Sequence, residues 1–418
     1  MRIIKSIAFL GALSVLFSAV SCGNKIVVTS QTEQTEISFS WWGNDERHDY
    51  TLQAIEEFER QHPDIKVRCH YSEWSGYQTR NTVRMVSHTE SDIMQINYAW
   101  ISQYSPDGNN YYDINLLRDY IDLSNFTEDD LQYGMKNGKL NAIPIALNTM
   151  TFYANETVYK DFGLEIPKTW SELYKSAEVM KGKCYPISMS KKSAWFYIIS
   201  CVGQQTGRDF MDENGHIIFT ADDMRLMIET YCDMVNKNVI PPVEDFDKLN
   251  IASGKYAGVL AWVSDAESYC NGAVENGYNM TVADYTTIDG TLNCWYAKPA
   301  TMYAIRKDIE NPEAAAEFLD YLLNSEEMAG YQKIEKGTPL SSSARKYLED
   351  NDMLGGIQYE AFMKMSDSKE ELSVISPYFE NDDMIDIFFD SCNEMLYGKS
   401  DSVALADELY SKMCSLAE

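Results

Sequence analysis

The stretch ISFSWWGNDERHDYTLQAIEEFERQ, residues 37–61, decides the fold. Residues 37–42 are a short β-branched and aromatic run that reads as a buried strand. Gly43, Asn44 and Asp45 read as a turn, because Gly and Asn tolerate the backbone angles of a tight bend. From Asp49 onward Leu52, Ile55 and Phe58 recur at helical spacing, with Glu56, Glu57, Glu59 and Arg60 on the solvent side. The unit is strand, polar turn, helix. In an α/β sheet the turn beyond a strand's carboxyl end is where ligands are held. Here that turn holds two tryptophans, an amide and three charges between Trp41 and Arg47. Trp41 and Trp42 point to opposite faces if the strand alternates; Trp42 is taken as the ring facing a site and Trp41 as core.

Working outward, the chain of 418 residues has room for two domains of ordinary size, each with its own core. A formal net charge of −29 argues against nucleic acid as a partner and against electrostatic attachment to anionic lipid. Aromatic residues make up 12%, with 28 Tyr, which leaves rings available for a site. The first residues, MRIIKSIAFLGALSVLFSAVSCGN, form a basic start, an apolar run and small residues before Cys22. They are expected to be a secretory signal over residues 1–21, too short at its uninterrupted core for a membrane span. Removing it takes Arg2 and Lys5 away and moves the charge from −29 to −31. Residues 22–36, rich in Ser, Thr, Gln and Asn, read as a polar tether. Eight further cysteines show no CxxC and no regular spacing, so they are expected to be small buried hydrophobes rather than a disulfide framework.

Along the chain, IKVRC (65–69) alternates like a second strand, and residues 71–77 are expected as a loop with exposed rings, Trp74 among them. SDIMQINYAW (91–100) reads as strand and then aromatic loop, with Tyr98 and Trp100 at its end. Residues 113–123 are expected as a helix. GKLNAIPIALNTMTFYANETVY (138–159) is a long extended passage containing Asn148. PKTWSEL (167–173) starts a helix: Thr169 caps it while Glu172 reaches back. Residues 193–207 and 221–236 read as helices. GKYAGVLAW (254–262) is a strand ending in a ring, with Asp265 just beyond.

Taken in order, these pieces resemble extracellular solute-binding protein family 1, the carbohydrate-binding lipoproteins of ABC importers, similar to maltose- and oligosaccharide-binding proteins. ISFSWWGNDE, GKLNAIPIALNT, PKTWSEL, GKYAGVLAW and GTPL (337–340) carry the resemblance, which covers residues 37 to about 417. It implies an α/β fold of the two-lobed periplasmic-binding-protein type (type II), each lobe an open sheet flanked by helices, with three interlobe crossings. One lobe is expected at 37–146 plus 300–338 and the other at 147–299 plus 339–418. The segment Ala19-Val20-Ser21-Cys22 is similar to a lipobox, implying acylation of Cys22 and a lipid-anchored, extracellular location. The implied function is capture of an oligosaccharide between the lobes and delivery to a permease, by a monomer with no cofactor and no metal.

A receptor of this kind needs rings that stack on the apolar face of a sugar and polar side chains that match its hydroxyls. By position, the implied ligand contacts are Trp42, Asn44 and Asp45 at the first turn, Trp74, Tyr98 and Trp100 in the next two loops, and Asn148 at the first crossing. Trp195, Trp262 and Asp265 are those of the second lobe. Enzymatic motifs are missing: there is no G-x-S-x-G, no H-E-x-x-H, no Walker loop and no G-x-G-x-x-G, and the five histidines are scattered. No catalytic residue is assigned. The alternative is a receptor for a non-sugar solute such as a polyamine or peptide, a polyamine site favouring clustered carboxylates over rings, and after it a secreted glycoside hydrolase.

Overall fold

In a computed structural model, the protein is described over residues 34–417, apart from 213, 289 and 291. The signal segment, Cys22 and all but the last residues of the tether lie outside the described residues. The strands are β1 (Thr35–Trp42), β2 (Ile65–Ser72), β3 (Ile93–Ile96), β4 (Met135–Lys136), β5 (Lys139–Leu140), β6 (Ala142–Asn155), β7 (Ser188–Met189), β8 (Gly258–Trp262), β9 (Met280–Val282), β10 (Tyr296–Ile305) and β11 (Ser373–Val374).

The opening unit forms as strand, turn and helix. Ile37, Phe39 and Trp41 alternate onto one buried face of β1, where Phe39 and Trp41 stack at 4.9 Å. Asn44 caps the helix Asp45–Gln61 by accepting the backbone N–H of Arg47 at 2.9 Å, so the helix begins at the turn itself rather than at Asp49. The helix returns the chain to β2, which pairs parallel with β1 from Thr35 opposite Ile65 to Trp42 opposite Ser72.

The main sheet runs β2-β1-β3-β10-β6-β8-β7, with β11 on β10 and β9 on β6. Two long strands run through both halves of the molecule. Strand β6, fourteen residues long and buried throughout, pairs antiparallel with β10 from Ala142 opposite Ala304 to Thr149 opposite Ala297. At its other end β6 pairs with β8, from Met150 opposite Trp262 to Ala154 opposite Gly258. Around the first half pack Phe58, Phe318, Tyr303 and their neighbours; Trp195, Phe196, Tyr231 and Phe388 fill the second. The architecture is mixed α/β, a central sheet flanked by helices.

Several expectations differ from what is observed. Residues 113–123 form only a 3₁₀ turn, Ile114–Leu117, because Asp113 caps that turn and also accepts the backbone N–H of Leu140 at 3.0 Å. Residues 71–77 are not an open loop: β2 continues to Ser72, the helix Trp74–Ser87 starts at once, and Tyr77 is buried. The chain does not leave the first half at residue 339. Ser341 caps a new helix, Ser342–Asp350, whose Ala344 and Leu348 pack on Ala329 of the helix Glu326–Gln332. The helix that follows, Gly356–Asp367, is the one that meets Ala266–Glu275 and β9 of the second half.

Two further readings shift: Tyr98 opens the helix Ala99–Tyr104 rather than a loop, and the strand read at 254–262 is confined to Gly258–Trp262. Thr169 and Glu172 form the reciprocal capping box, and the helix Ala221–Asn236 has the expected bounds. The eight described cysteines are all free thiols, six of them buried. Among the described residues no helix is long and apolar enough to cross a membrane.

Candidate functional site

Strand direction locates the site. β3 runs antiparallel to β10, so the carboxyl ends of β1 and β3, at Trp42 and Ile96, point toward the second half. β8 runs antiparallel to β6, so its carboxyl end, at Trp262, points back toward the first half. The two sets of strand ends therefore converge on the same short length of β6 and β10. Thr301 marks one side of it, its hydroxyl reaching the carbonyl of Ile96 at 3.4 Å, and Lys298 opposite Asn148 marks the other. Convergent strand ends at such a junction are where open α/β sheets hold ligands.

On the first side Trp42 and Trp74 meet edge to face at 4.9 Å, with Tyr77 at 5.3 Å from Trp42. Trp100 lies beneath them, parallel to Trp74 at 6.0 Å and only 2% exposed, whereas Trp74 is 40% exposed. Tyr77 fixes the base of the cluster, its hydroxyl donating to the carbonyl of Gln95 at 2.8 Å. Trp42 and Trp74 thus present ring surface, and Trp100 and Tyr77 support them.

On the second side Trp262 is half-buried, braced edge-on by Phe196 at 5.3 Å. The ammonium of Lys298 lies 4.6 Å from the centre of the Trp262 ring. Glu380 joins Lys298 to Lys192: one carboxylate oxygen contacts Lys298 and the other accepts from Lys192 at 2.7 Å. Burial and the neighbouring Lys192 charge push Lys298 down to about 7. Burial likewise lowers Lys192. Burial raises the Asp265 carboxyl, against the opposing pull of its Ser264 hydrogen bond and the Lys298 charge.

The structure brings Trp42 and Trp74 together on one side and Trp262 and Asp265 on the other. Tyr98 lies between the two halves, packed against both cores, and burial pushes its hydroxyl up to about 12. It lines a cavity of about 770 Å³ with Tyr133 and Lys136 from the first half and Asp209, Tyr296 and Ser376 from the second. Trp195 is fully buried, and its indole N–H donates to the carbonyl of Phe379 at 2.9 Å, pinning the turn Pro377–Glu380 that carries Glu380. Asn148 is 6% exposed and is engaged twice by Ser264, at 2.9 and 3.2 Å, so it ties the crossing to the end of β8. Trp100 is core. Asn44 and Asp45 are exposed at the helix start, with the Asn44 carbonyl oxygen committed to the cap.

Lys192, Lys298 and Glu380 were not anticipated. Lys192 and Glu380 are 188 residues apart, and no local pattern joins them. Lys298 did carry a signal: it is the lone charge in YAKPATMYAI, an otherwise apolar strand.

Comparison with known proteins places these features in context. Residues 44–329 match the model for bacterial extracellular solute-binding proteins. A multiple sugar-binding protein of Streptococcus mutans is 26% identical over 199 residues, 47% of this chain and 46% of that protein. The chain spans about half the length of the curated relatives it matches. The solved structure of a periplasmic oligogalacturonide-binding protein from Yersinia enterocolitica, in complex with saturated digalacturonic acid, is 29% identical. It superposes with a TM-score of 0.79 over 92% of this chain and 99% of that one. A de novo designed cysteine esterase is 28% identical with a TM-score of 0.85, over 92% and 98%.

Proposed function

The chain belongs to the bacterial extracellular solute-binding protein family, and from that membership we propose that it is the receptor of an ABC importer, capturing an oligosaccharide between its two halves. The observation that carries this reading is the convergence of Trp42 and Trp74 with Trp262 across the shared strands β6 and β10. Rings exposed from both sides suit the apolar faces of pyranoses, and the polar groups between them suit hydroxyls. Relatives that bind multiple sugars and oligogalacturonide support the same class of ligand. Closure of the halves around the sugar uses the β6–β10 strand pair as its hinge. Acylation at Cys22 holds the receptor, as a monomer, on the outer face of the membrane, and a permease accepts the released sugar.

Catalysis is not part of this proposal. Burial pushes the thiols of Cys184 and Cys270 up to about 12, which makes these two poor nucleophiles. The test is thermal unfolding of residues 34–418 across neutral and acidic oligosaccharides, polyamines and peptides. A ligand that binds only the folded state raises the midpoint by mass action. A rise with one sugar class, lost in Trp262→Ala, supports the receptor. A rise confined to polyamines or peptides, or sugar shortened during the assay, refutes it.

A further inference from the structure

We propose that Lys192 and Lys298 form a carboxylate-recognition site within the cleft, so that the preferred ligand is an acidic oligosaccharide carrying uronate groups. This deepens the receptor reading and rests on it.

The position of Lys298 is the first ground. It lies in a buried strand pair, opposite Asn148, where an apolar side chain would pack without the cost of desolvating an ammonium. A buried charge kept at such a place calls for a partner that repays its desolvation. Glu380 is the one carboxylate in contact with either ammonium among the described residues, and it is shared between both. Each ammonium carries three donors, so two cations bridged by one carboxylate retain donors for a second. Asp265, the other acid near Lys298, hydrogen-bonds Ser264 and touches neither lysine.

The second ground is the pairing of ring and cation. Lys298 lies over the ring of the half-buried Trp262, its ammonium 4.6 Å from the ring centre. A sugar held against the remaining exposed edge of that ring would have its substituents beside the ammonium. A hydroxymethyl group there has no charge to match; a carboxylate does, at charge-assisted strength. The formal charge of −29 makes this a local device, since the molecule as a whole repels anions.

The charged groups facing Lys298 are Lys192 from the helix Lys191–Thr206, Glu380 from the turn Pro377–Glu380 and Asp265 beyond β8; Asp382 acts on Lys192. Raising pH through the Lys298 titration near 7 removes the cation that a uronate needs, so uronate affinity falls between pH 6 and pH 8.

The experiment compares trigalacturonate with its fully methyl-esterified form by calorimetry on residues 34–418. The two share rings and linkages and differ in charge. The acid is expected to bind at least tenfold more tightly at pH 6, with the preference shrinking at pH 8. Lys298→Met and Lys192→Met, checked for cooperative thermal unfolding, should reduce the acid-to-ester affinity ratio at least fivefold. Lys192 is the more exposed, so its variant keeps the test valid if Lys298→Met does not fold. Equal binding of acid and ester, binding of neutral oligosaccharides alone, or a ratio unchanged in both variants overturns the proposal while leaving the receptor intact. Failure of every sugar to bind overturns both.

Discussion

Arg47 and Glu335, 288 residues apart, form a two-pronged ion pair, with guanidinium nitrogens 2.9 and 2.7 Å from the two carboxylate oxygens. Tyr50 donates to the same carboxylate at 2.7 Å, and Arg47 also reaches the carbonyl of Trp42 at 3.1 Å. The pair therefore fastens the first strand-to-helix turn, next to the Trp42 ring, to the chain just before residues 337–340.

Glu335→Gln should cost roughly 2–3 kcal/mol of stability, somewhat under the figure for a fully buried pair because both partners keep some exposure. Burial pushes the Glu335 carboxyl up, but the Arg47 hydrogen bonds and charge outweigh it and hold the group below its ordinary 4.5. A depressed carboxyl stabilises the fold above its unfolded value, and that stabilisation is lost as pH falls through the folded value. The wild-type midpoint should thus drop more steeply than that of Glu335→Gln as pH falls below about 4.5, which a calorimetric series from pH 7 to pH 3 measures.

Gly43→Ala should damage the same lock. A Cβ at residue 43 would meet Cδ, Cβ and Cγ of Arg47 at 2.4 to 2.8 Å, and the far end of that side chain is pinned by Glu335. The expected loss is about 1–3 kcal/mol. In Glu335→Gln the arginine is freer to swing aside, so a double-mutant cycle should show Gly43→Ala costing less there than in the wild type. Strict additivity would mean that the clash is relieved elsewhere.

This lock also shows how far local pattern reading reaches. The strand and the body of the helix were legible because each is fixed by residues a few positions apart, whereas the Asn44 cap was read only as a turn. The helix expected at 113–123 was not, since Asp113 is drawn off by Leu140 of a neighbouring strand. Of the rings proposed to line the cleft, Trp42, Trp74 and Trp262 could be picked out as aromatics at or just beyond strand ends. Which rings lie beneath others depends on stacking between distant segments: Trp100 looks like Trp74 in sequence and is buried under it. Glu380 escaped notice in an acidic helical stretch that reads as a solvated surface, because its lysine partners come from residues 192 and 298.

Trp195 and Trp262 should separate stability from binding. Trp195→Phe removes the donor to the Phe379 carbonyl in a buried setting, costing about 1–3 kcal/mol and loosening the turn that carries Glu380. Trp262→Ala removes a half-buried ring at the cleft, and its main effect should be on ligand affinity, weaker by roughly ten- to a hundredfold. Denaturant unfolding and calorimetric titration on both variants decide it. A Trp262→Ala protein with native affinity would remove that ring from the site.

The cysteines give a last prediction, about what does not stabilise this fold. All eight described thiols are free, and Cys184, Cys201, Cys232, Cys270, Cys294 and Cys392 are buried. Cys232 lies in the second core, its thiol 3.5 Å from the carbonyl of Cys392 and packed as a small apolar group with a weak donor. A chain of this size buries enough apolar surface to fold without cross-links. Dithiothreitol should therefore leave the unfolding midpoint of residues 34–418 unchanged. Iodoacetamide at pH 8 should reach the half-buried Cys69 and Cys414 first, slowly at Cys69, where burial pushes the thiol up to about 11. The six buried thiols should react only after urea unfolds the protein, with mass spectrometry following each site. A midpoint that falls on reduction would show that at least one pair is bonded in the native protein, and the packing around Cys232 and Cys392 would be the first place to look.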